Sequence, residues 1–234
     1  MHIQSNLSGG ESTVKQIIEF AKRLGYEGIA ICDNYQDLEK LKELKNEISK
    51  VKTDIEVYHG VKIQADNVKE LKDIISKVRE KVMMVVVSGG DYSINRAACE
   101  DSRVDILSHP EAGRFDSGLD QPCLELATQK NVAIEINFRE VLHSFRRRRS
   151  YILNHITQNI KLCSHFRTPM IICSGAQSIW EMRNPRDLIS IANSLGMEIG
   201  KAFLSMSSAP LEIIRENKKT LEGKKITKGV EIVE

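Results

Sequence analysis

No run of apolar residues in this sequence approaches the length of a membrane span, and the polar opening MHIQSN lacks the character of a secretory leader. Cysteine is sparse. Cys32, Cys99, Cys123, Cys163 and Cys173 form no CxxC pair and leave an odd number, which excludes a disulfide frame. Several of them fall on apolar faces, where a thiol acts as a small hydrophobe. The expected setting is therefore reducing and cytoplasmic. Excess charge is lacking too: 34 Lys and Arg against 32 Asp and Glu leave +2, so any polyanion site must come from local clustering. No GxGxxG follows the first apolar run, and no HExxH occurs. The main sign of a dinucleotide fold and the tightest metal motif are thus both missing. Linkers, low-complexity tracts and internal repeats are also absent. With 234 residues the expectation is one domain over 1–234, with a charged tail from about residue 218.

What is present is alternation. Short β-branched runs at 1–3, 28–32, 55–63, 82–87, 104–107, 132–136 and 169–173 are separated by segments with helical periodicity. Val14, Ile17, Ile18, Ala21 and Leu24 make one stripe, and Leu38, Leu41, Leu44, Ile48 and Val51 another. Val68, Leu71, Ile74, Ile75 and Val78 make a third. Helices are expected also at 94–100, 119–129, 152–163, 186–195, 198–206 and 211–219. Strands alternating with helices indicate a parallel sheet with crossovers. The fold class is α/β, a single TIM-like (β/α) barrel of about seven units. A doubly wound open sheet is the alternative. The barrel is favoured because small or polar residues follow nearly every strand, as a ring of loops at the carboxyl ends requires.

Function is sought at those ends. Ser108-His109-Pro110 follows the fifth run, and Glu135-Ile136-Asn137 closes the sixth. His2, Asp33, His59, His109, Glu135 and Asn137 are competent metal ligands. Each is equally suited to hold a strand end by bonding to a neighbouring loop.

The layout resembles the polymerase-and-histidinol-phosphatase (PHP) superfamily of metal-dependent hydrolases, with its ligand set eroded. The family's opening His-x-His reads His2-Ile3-Gln4 here, and its Asp-His reads Asp33-Asn34. Its third-strand glutamate falls on Lys62, and its late Asp-x-His on Gly175-Ala176-Gln177. His2, Asp33 and His109 survive, beside a lysine whose charge repels a metal. The chain as a whole resembles a narrower group, the RNase P protein component 3 family, archaeal counterpart of the eukaryotic thirty-kilodalton RNase P subunit. The likeness rests on DILSHP (105–110), Phe115-Asp116, VAIEINFR (132–139), PMIICSGAQS (169–178) and WEMRNPRDL (180–188). It implies a PHP-like barrel inside the ribonucleoprotein that removes the 5′ leader of precursor tRNA, with the chemistry carried by RNA. The implied partners are RNase P RNA, precursor tRNA and other protein subunits, including a Pop-type one. No metal is expected on this chain and no residue of it is expected to be catalytic; Mg2+ belongs to the RNA-based holoenzyme. His2, Asp33, Lys62, His109, Glu135 and Asn137 would then line a vestigial pocket. The competing reading is a free-standing metal-dependent phosphoesterase with an altered site.

The basic residues suit a polyanion. Arg146, Arg147, Arg148 and Arg149 are consecutive, flanked by Arg139, His143, Phe145 and Tyr151. In the first turn of a helix their charge opposes the macrodipole, at ~0.3–1 kcal/mol each where exposed. Phosphate offsets that cost, and the guanidinium matches it in shape. A solvated basic turn whose stems cover apolar surface is the plainer account. Arg96, Arg114, Arg183 and Arg186 are weaker candidates for RNA or partner contact. Lys218, Lys219, Lys224, Lys225 and Lys228 form a second basic set. Trp180 is the only tryptophan, and a buried loop anchor is its expected role.

Overall fold

The computed structural model describes residues 2–223, 225–227 and 230–231. Seven parallel strands follow one another around a ring in chain order: β1 (His2–Ile3), β2 (Gly28–Asn34), β3 (Glu56–Ile63), β4 (Met84–Ser88), β5 (Ile106–Ser108), β6 (Ala133–Asn137) and β7 (Met170–Cys173). The ring closes where Ile3 bridges Ala176 and the Gln4 amide donates to the Ala176 carbonyl at 3.0 Å. The barrel is therefore the fold, and the open sheet is not. The intervening helices are α1 (Val14–Arg23), α2 (Leu38–Lys50), α3 (Val68–Val78), α4 (Tyr92–Glu100), α5 (Gln121–Lys130), α6 (Arg139–Leu142) and α7 (Arg146–Phe166). After β7 come a short 3-10 turn (Ile179–Glu181), α8 (Pro185–Ser194), α9 (Ile199–Met206) and α10 (Ser208–Leu221).

Local chemistry marks the helix starts. Thr13 and Gln16 form a reciprocal capping box on α1. Asp37, Asn67, Asp91, Asp120 and Asn184 each accept from a first-turn amide of the next helix. The apolar stripes read from sequence are the buried faces: Ile17, Leu71, Ile75 and Val78 are fully buried, each stabilising by roughly 1.5–3 kcal/mol.

Strand alternation divides the side chains. Ile31, Val61, Val85, Leu107, Ile134 and Ile172 pack against the helices, while Ala30, Cys32, Met84, Val86, Ile106, Ala133, Ile171 and Cys173 form the cluster inside the barrel. Gly60 makes this interior possible, since a Cβ there would lie 2.4 Å from Cys32 Sγ. At the amino ends of the strands α10 is the plug: Ile214 joins the interior cluster and Asn217 Nδ2 donates to the Met83 carbonyl at 2.9 Å. Also at that end, Asp105 accepts from Arg79 Nη1 and from the Val85 amide, both at 2.7 Å. The aspartate of DILSHP is thus structural.

Some expectations shift. β4 and β5 begin two residues later than their apolar runs, because Val82 and Val104 are buried before the ladder starts. Residues 218–221, expected to open a tail, are the last turn of α10, and short strands β8 (Lys225–Thr227) and β9 (Val230–Glu231) pair beyond it. Lys218 and Lys219 are ion-paired with Glu222 and Glu216, and Lys224 and Lys228 lie outside the described residues. His59 Nε2 bonds the Lys81 carbonyl at 3.0 Å, ahead of β4, and takes no part in the carboxyl-end pocket. Trp180 is not a buried anchor: it is 77% exposed on the 3-10 turn.

Candidate functional site

β1 and β6 meet across the carboxyl end of the barrel although 133 residues separate their key side chains. His2 Nδ1 lies 3.0 Å from Glu135 Oε1, and Asn137 Nδ2 donates to the same oxygen at 3.0 Å. Burial disfavours the Glu135 carboxylate, but His2, His109 and Lys62 override it and hold the carboxyl well below the usual range. His109 follows β5 in the left-handed region, at φ 52°, with Nδ1 3.9 Å from Glu140 Oε1. Burial, reinforced by the charge of Lys62, pulls its imidazole down to about 4, so it is neutral at pH 7. Burial likewise lowers the Lys62 ammonium, against the pull of Glu135 and Glu140. Glu111, just beyond His109, is pushed up to about 7, chiefly by burial and then by Glu140 and Glu135.

Five of the six predicted pocket residues are thus brought together: His2, Lys62, His109, Glu135 and Asn137. Asp33 is diverted. Its two oxygens accept from the Ser5 amide and hydroxyl, each at 2.6 Å, so it pins the loop after β1.

What the sequence left unseen is how the rim is wired. Gln4 Nε2 donates to Asn34 Oδ1 at 2.7 Å, and Gln177 Nε2 donates to Gln4 Oε1 at 2.9 Å. Arg139 Nη2 donates to Gln177 Oε1 at 2.7 Å, and its Nε donates to Glu181 Oε2 at 3.2 Å. Glu181 also takes His143 Nε2 at 2.5 Å. Neutral amides at 4, 34 and 177 therefore satisfy one another, and Arg139 belongs to this network rather than to a free basic surface. The signal was present in the sequence as three amides at once; their mutual distance was not.

The donor set does not fit a hydrolytic metal centre. Among the described residues one trio, His2, Glu135 and Cys173, places its ligand atoms within 4.8 Å of one another. Burial, with Glu135, pushes the Cys173 thiol up, so it is neutral in this pocket. Lys62 adds positive charge beside the same carboxylate. Among the described residues three of the four orphaned buried side-chain atoms are Ser108 Oγ, His109 Nδ1 and Glu135 Oε2, a hydroxyl, a ring nitrogen and a carboxylate oxygen that suit a small hydrogen-bonding molecule; the fourth is Asn159 Oδ1. Glu135 is a poor general base, since its pKa is low and its other oxygen is shared by His2 and Asn137.

A second feature stands on the same end. α7 begins at Arg146, which has φ 47°, with Phe145 as an N-cap that makes no side-chain bond. All four arginines are exposed, and among the described residues no carboxylate reaches them. Arg147 lies over the Tyr151 ring at 5.7 Å, and Arg149 lies over Phe145 at 5.6 Å while its Nε donates to the Ser144 carbonyl at 2.8 Å. The weaker candidates are more constrained. Arg114 pairs with Asp116 at 2.6 Å, and Arg183 donates to the Trp180 and Met182 carbonyls at 2.8 Å while facing Phe138. Arg96 is exposed and bonded to Tyr92.

Comparison with known proteins sets this geometry in context. The model of the family described as RNase P subunit p30 matches residues 1–221. Ribonuclease P protein component 3 of Methanococcus maripaludis (strain C6) is 36% identical over 220 residues, covering 93% of each chain. Its namesake in Methanothermobacter thermautotrophicus is 33% identical over 219 residues, 92% of this chain and 88% of the relative. Among solved structures, a chain from the cryo-EM structure of archaeal ribonuclease P with mature tRNA superposes with a TM-score of 0.81 at 30% identity, covering 100% of this chain and 97% of that one. The histidinol phosphate phosphatase of Lactococcus lactis, crystallised with zinc, L-histidinol and phosphate, has a TM-score of 0.59 at 12% identity, covering 84% and 93%. The latter likeness is one of fold alone.

Proposed function

Because the chain belongs to the RNase P subunit p30 family, we propose that it is a protein subunit of ribonuclease P that supports the RNA and performs no bond cleavage itself. The observation that carries the second half is the rim of amides. Phosphodiester hydrolysis needs an activated water and a stabilised leaving oxygen, work usually done by one or two metal ions. Here Gln4, Asn34 and Gln177 are bonded to one another, and Lys62 sits beside the one buried carboxylate of β6. No metal is held by this pocket in our reading, and the Mg2+ of the holoenzyme belongs to its RNA. The pocket residues His2, Lys62, His109, Glu135 and Asn137 then act as an internal brace across the mouth of the barrel.

The partners are RNase P RNA, precursor tRNA and other protein subunits, among them a Pop-type one. Arg146, Arg147, Arg148 and Arg149 are the foremost contacts, as a protruding turn whose charges lack carboxylate partners. Arg96, Arg114 and Arg183 stand behind them, already engaged by neighbours. The working compartment is the cytoplasm; among the described residues no helix is long and apolar enough to cross a membrane.

The test is cleavage of precursor tRNA. The chain alone is expected to be inactive, and to raise cleavage when added with the other subunits to RNase P RNA. His109→Ala should cost the particle little. Cleavage by the lone protein, lost in His109→Ala, would restore the phosphoesterase reading.

A further inference from the structure

The loop between β5 and α5 is built to hold one phenylalanine in water. Phe115 has a relative exposure of 105%, more than an extended chain gives it. Its loop is nevertheless tightly fastened. Asn95 Nδ2 donates to the carbonyls of Pro110 and Gly118, at 2.9 and 2.8 Å. Arg114 and Asp116 pair across the tip, and the Gly118 amide donates to Asp116 Oδ1 at 3.0 Å. Gly118 itself has φ 75°, and a Cβ there would sit 1.8 Å from the Pro110 oxygen, so only glycine makes this turn. On the far side α7 clamps the loop: His155 Nε2 bonds the Phe115 carbonyl at 3.2 Å, and Asn159 Nδ2 donates to the Ser117 carbonyl at 3.1 Å. The loop is thus bonded to α4 and to α7, with the ring outside.

The clamp fixes what lies nearby. Tyr151 precedes His155 by one helical turn, about 6 Å along α7. Tyr151 is 52% exposed under Arg147, and Phe145 is 72% exposed under Arg149. Exposed aromatic rings, two of them carrying a guanidinium on one face, and arginines without carboxylate partners thus lie together at the loop tip and the first turns of α7. A protein pocket would welcome the rings but not four adjacent like charges. A nucleic-acid duplex would take the charges, but its bases are stacked and unavailable to the rings. Unpaired nucleotides want both, since a base stacks on an aromatic face while its phosphates meet arginine.

We propose that Phe115 and Tyr151 form a stacking platform for unpaired bases of RNA, with Arg147 and Arg148 on the flanking phosphates. This deepens the ribonuclease P reading and rests on it. The experiment uses the particle reconstituted from RNase P RNA and its protein subunits. A photoreactive benzophenone side chain introduced at position 115 should cross-link to RNA, at nucleotides that chemical probing shows to be unpaired. Phe115→Leu keeps apolar bulk but loses the flat face, and should weaken entry into the particle roughly tenfold with an unchanged salt slope. Phe115→Tyr should restore it. The ring makes none of the loop's bonds, so none of these changes should move the melting temperature. Cross-linking to a protein subunit only, or full affinity in Phe115→Leu, overturns the platform while leaving the subunit role intact. Failure of the unaltered chain to enter the particle overturns both.

Discussion

Replacing Arg146, Arg147, Arg148 and Arg149 together by glutamine separates assembly from stability. The four charges occupy the first turn of α7, which has no acidic residue and no side-chain cap. Relieving the macrodipole there returns about 1–3 kcal/mol in all, because the effect fades beyond the first turn. Against this, the contacts of Arg147 with Tyr151 and Arg149 with Phe145 are lost, at ~0.5–1 kcal/mol each. The bond from Arg149 to the Ser144 carbonyl adds ~0.5–1.5 kcal/mol on the same side. The sums cancel to within about 1 kcal/mol, so the melting temperature should move by no more than about 4 °C in a chain of this size. RNA binding has no such cancellation. Each phosphate contact contributes roughly 0.7–0.9 to the slope of log affinity against log salt, so the slope should flatten by about 3 if all four are engaged. Thermal unfolding and filter binding between roughly 50 and 200 mM salt measure the two quantities on the same samples. A fall of about 10 °C with the slope unchanged would refute the reasoning and make the arginines structural.

Elemental analysis of the purified chain should find no stoichiometric zinc, manganese or iron; about one metal per chain, lost in His2→Ala, would show that the His2, Glu135 and Cys173 trio binds after all. Gly175→Ala should destabilise by at least about 2 kcal/mol in urea unfolding, since residue 175 has φ 60° and a Cβ would lie 2.2 Å from Asn137 Nδ2; a neutral result would mean Asn137 is free to move. The pH dependence has two opposed parts. His109, lowered to about 4 from 6.5, contributes stability that is full above pH 6.5 and lost as pH falls towards 4. Glu111, raised to about 7 from 4.5, contributes stability that is full below pH 4.5 and lost as pH rises through 7. The two contributions should therefore nearly cancel between pH 5 and 7, so Glu111→Gln should lose about 2 kcal/mol more than the unaltered chain on going from pH 7 to 5. A Glu111→Gln profile no steeper than that of the unaltered chain would show that His109 is not held neutral by the fold.

Periodicity determined the parallel α/β fold, and the small and polar residues after its strands favoured a barrel over an open sheet. Alternating strands and amphipathic helices are local properties, written in steps of two and of three to four residues, and each face must be buried. The parallel topology likewise pointed to the strand ends, where His2, Lys62, His109, Glu135 and Asn137 come together. The bond that engages Asp33 was not legible, because a carboxylate after a strand looks the same whether it faces a pocket or, as here, accepts from Ser5. Trp180 was misjudged because hydrophobicity predicts burial only where a neighbour exists to cover the ring. Closure of the ring decided the rest. Only when Ile3 meets Ala176 do Gln4, Asn34 and Gln177 come within hydrogen-bond reach, and only when closure brings β6 one strand away from β1 does Glu135 find His2. Those contacts join residues up to 173 apart in the chain, and no local pattern encodes a distance of that kind.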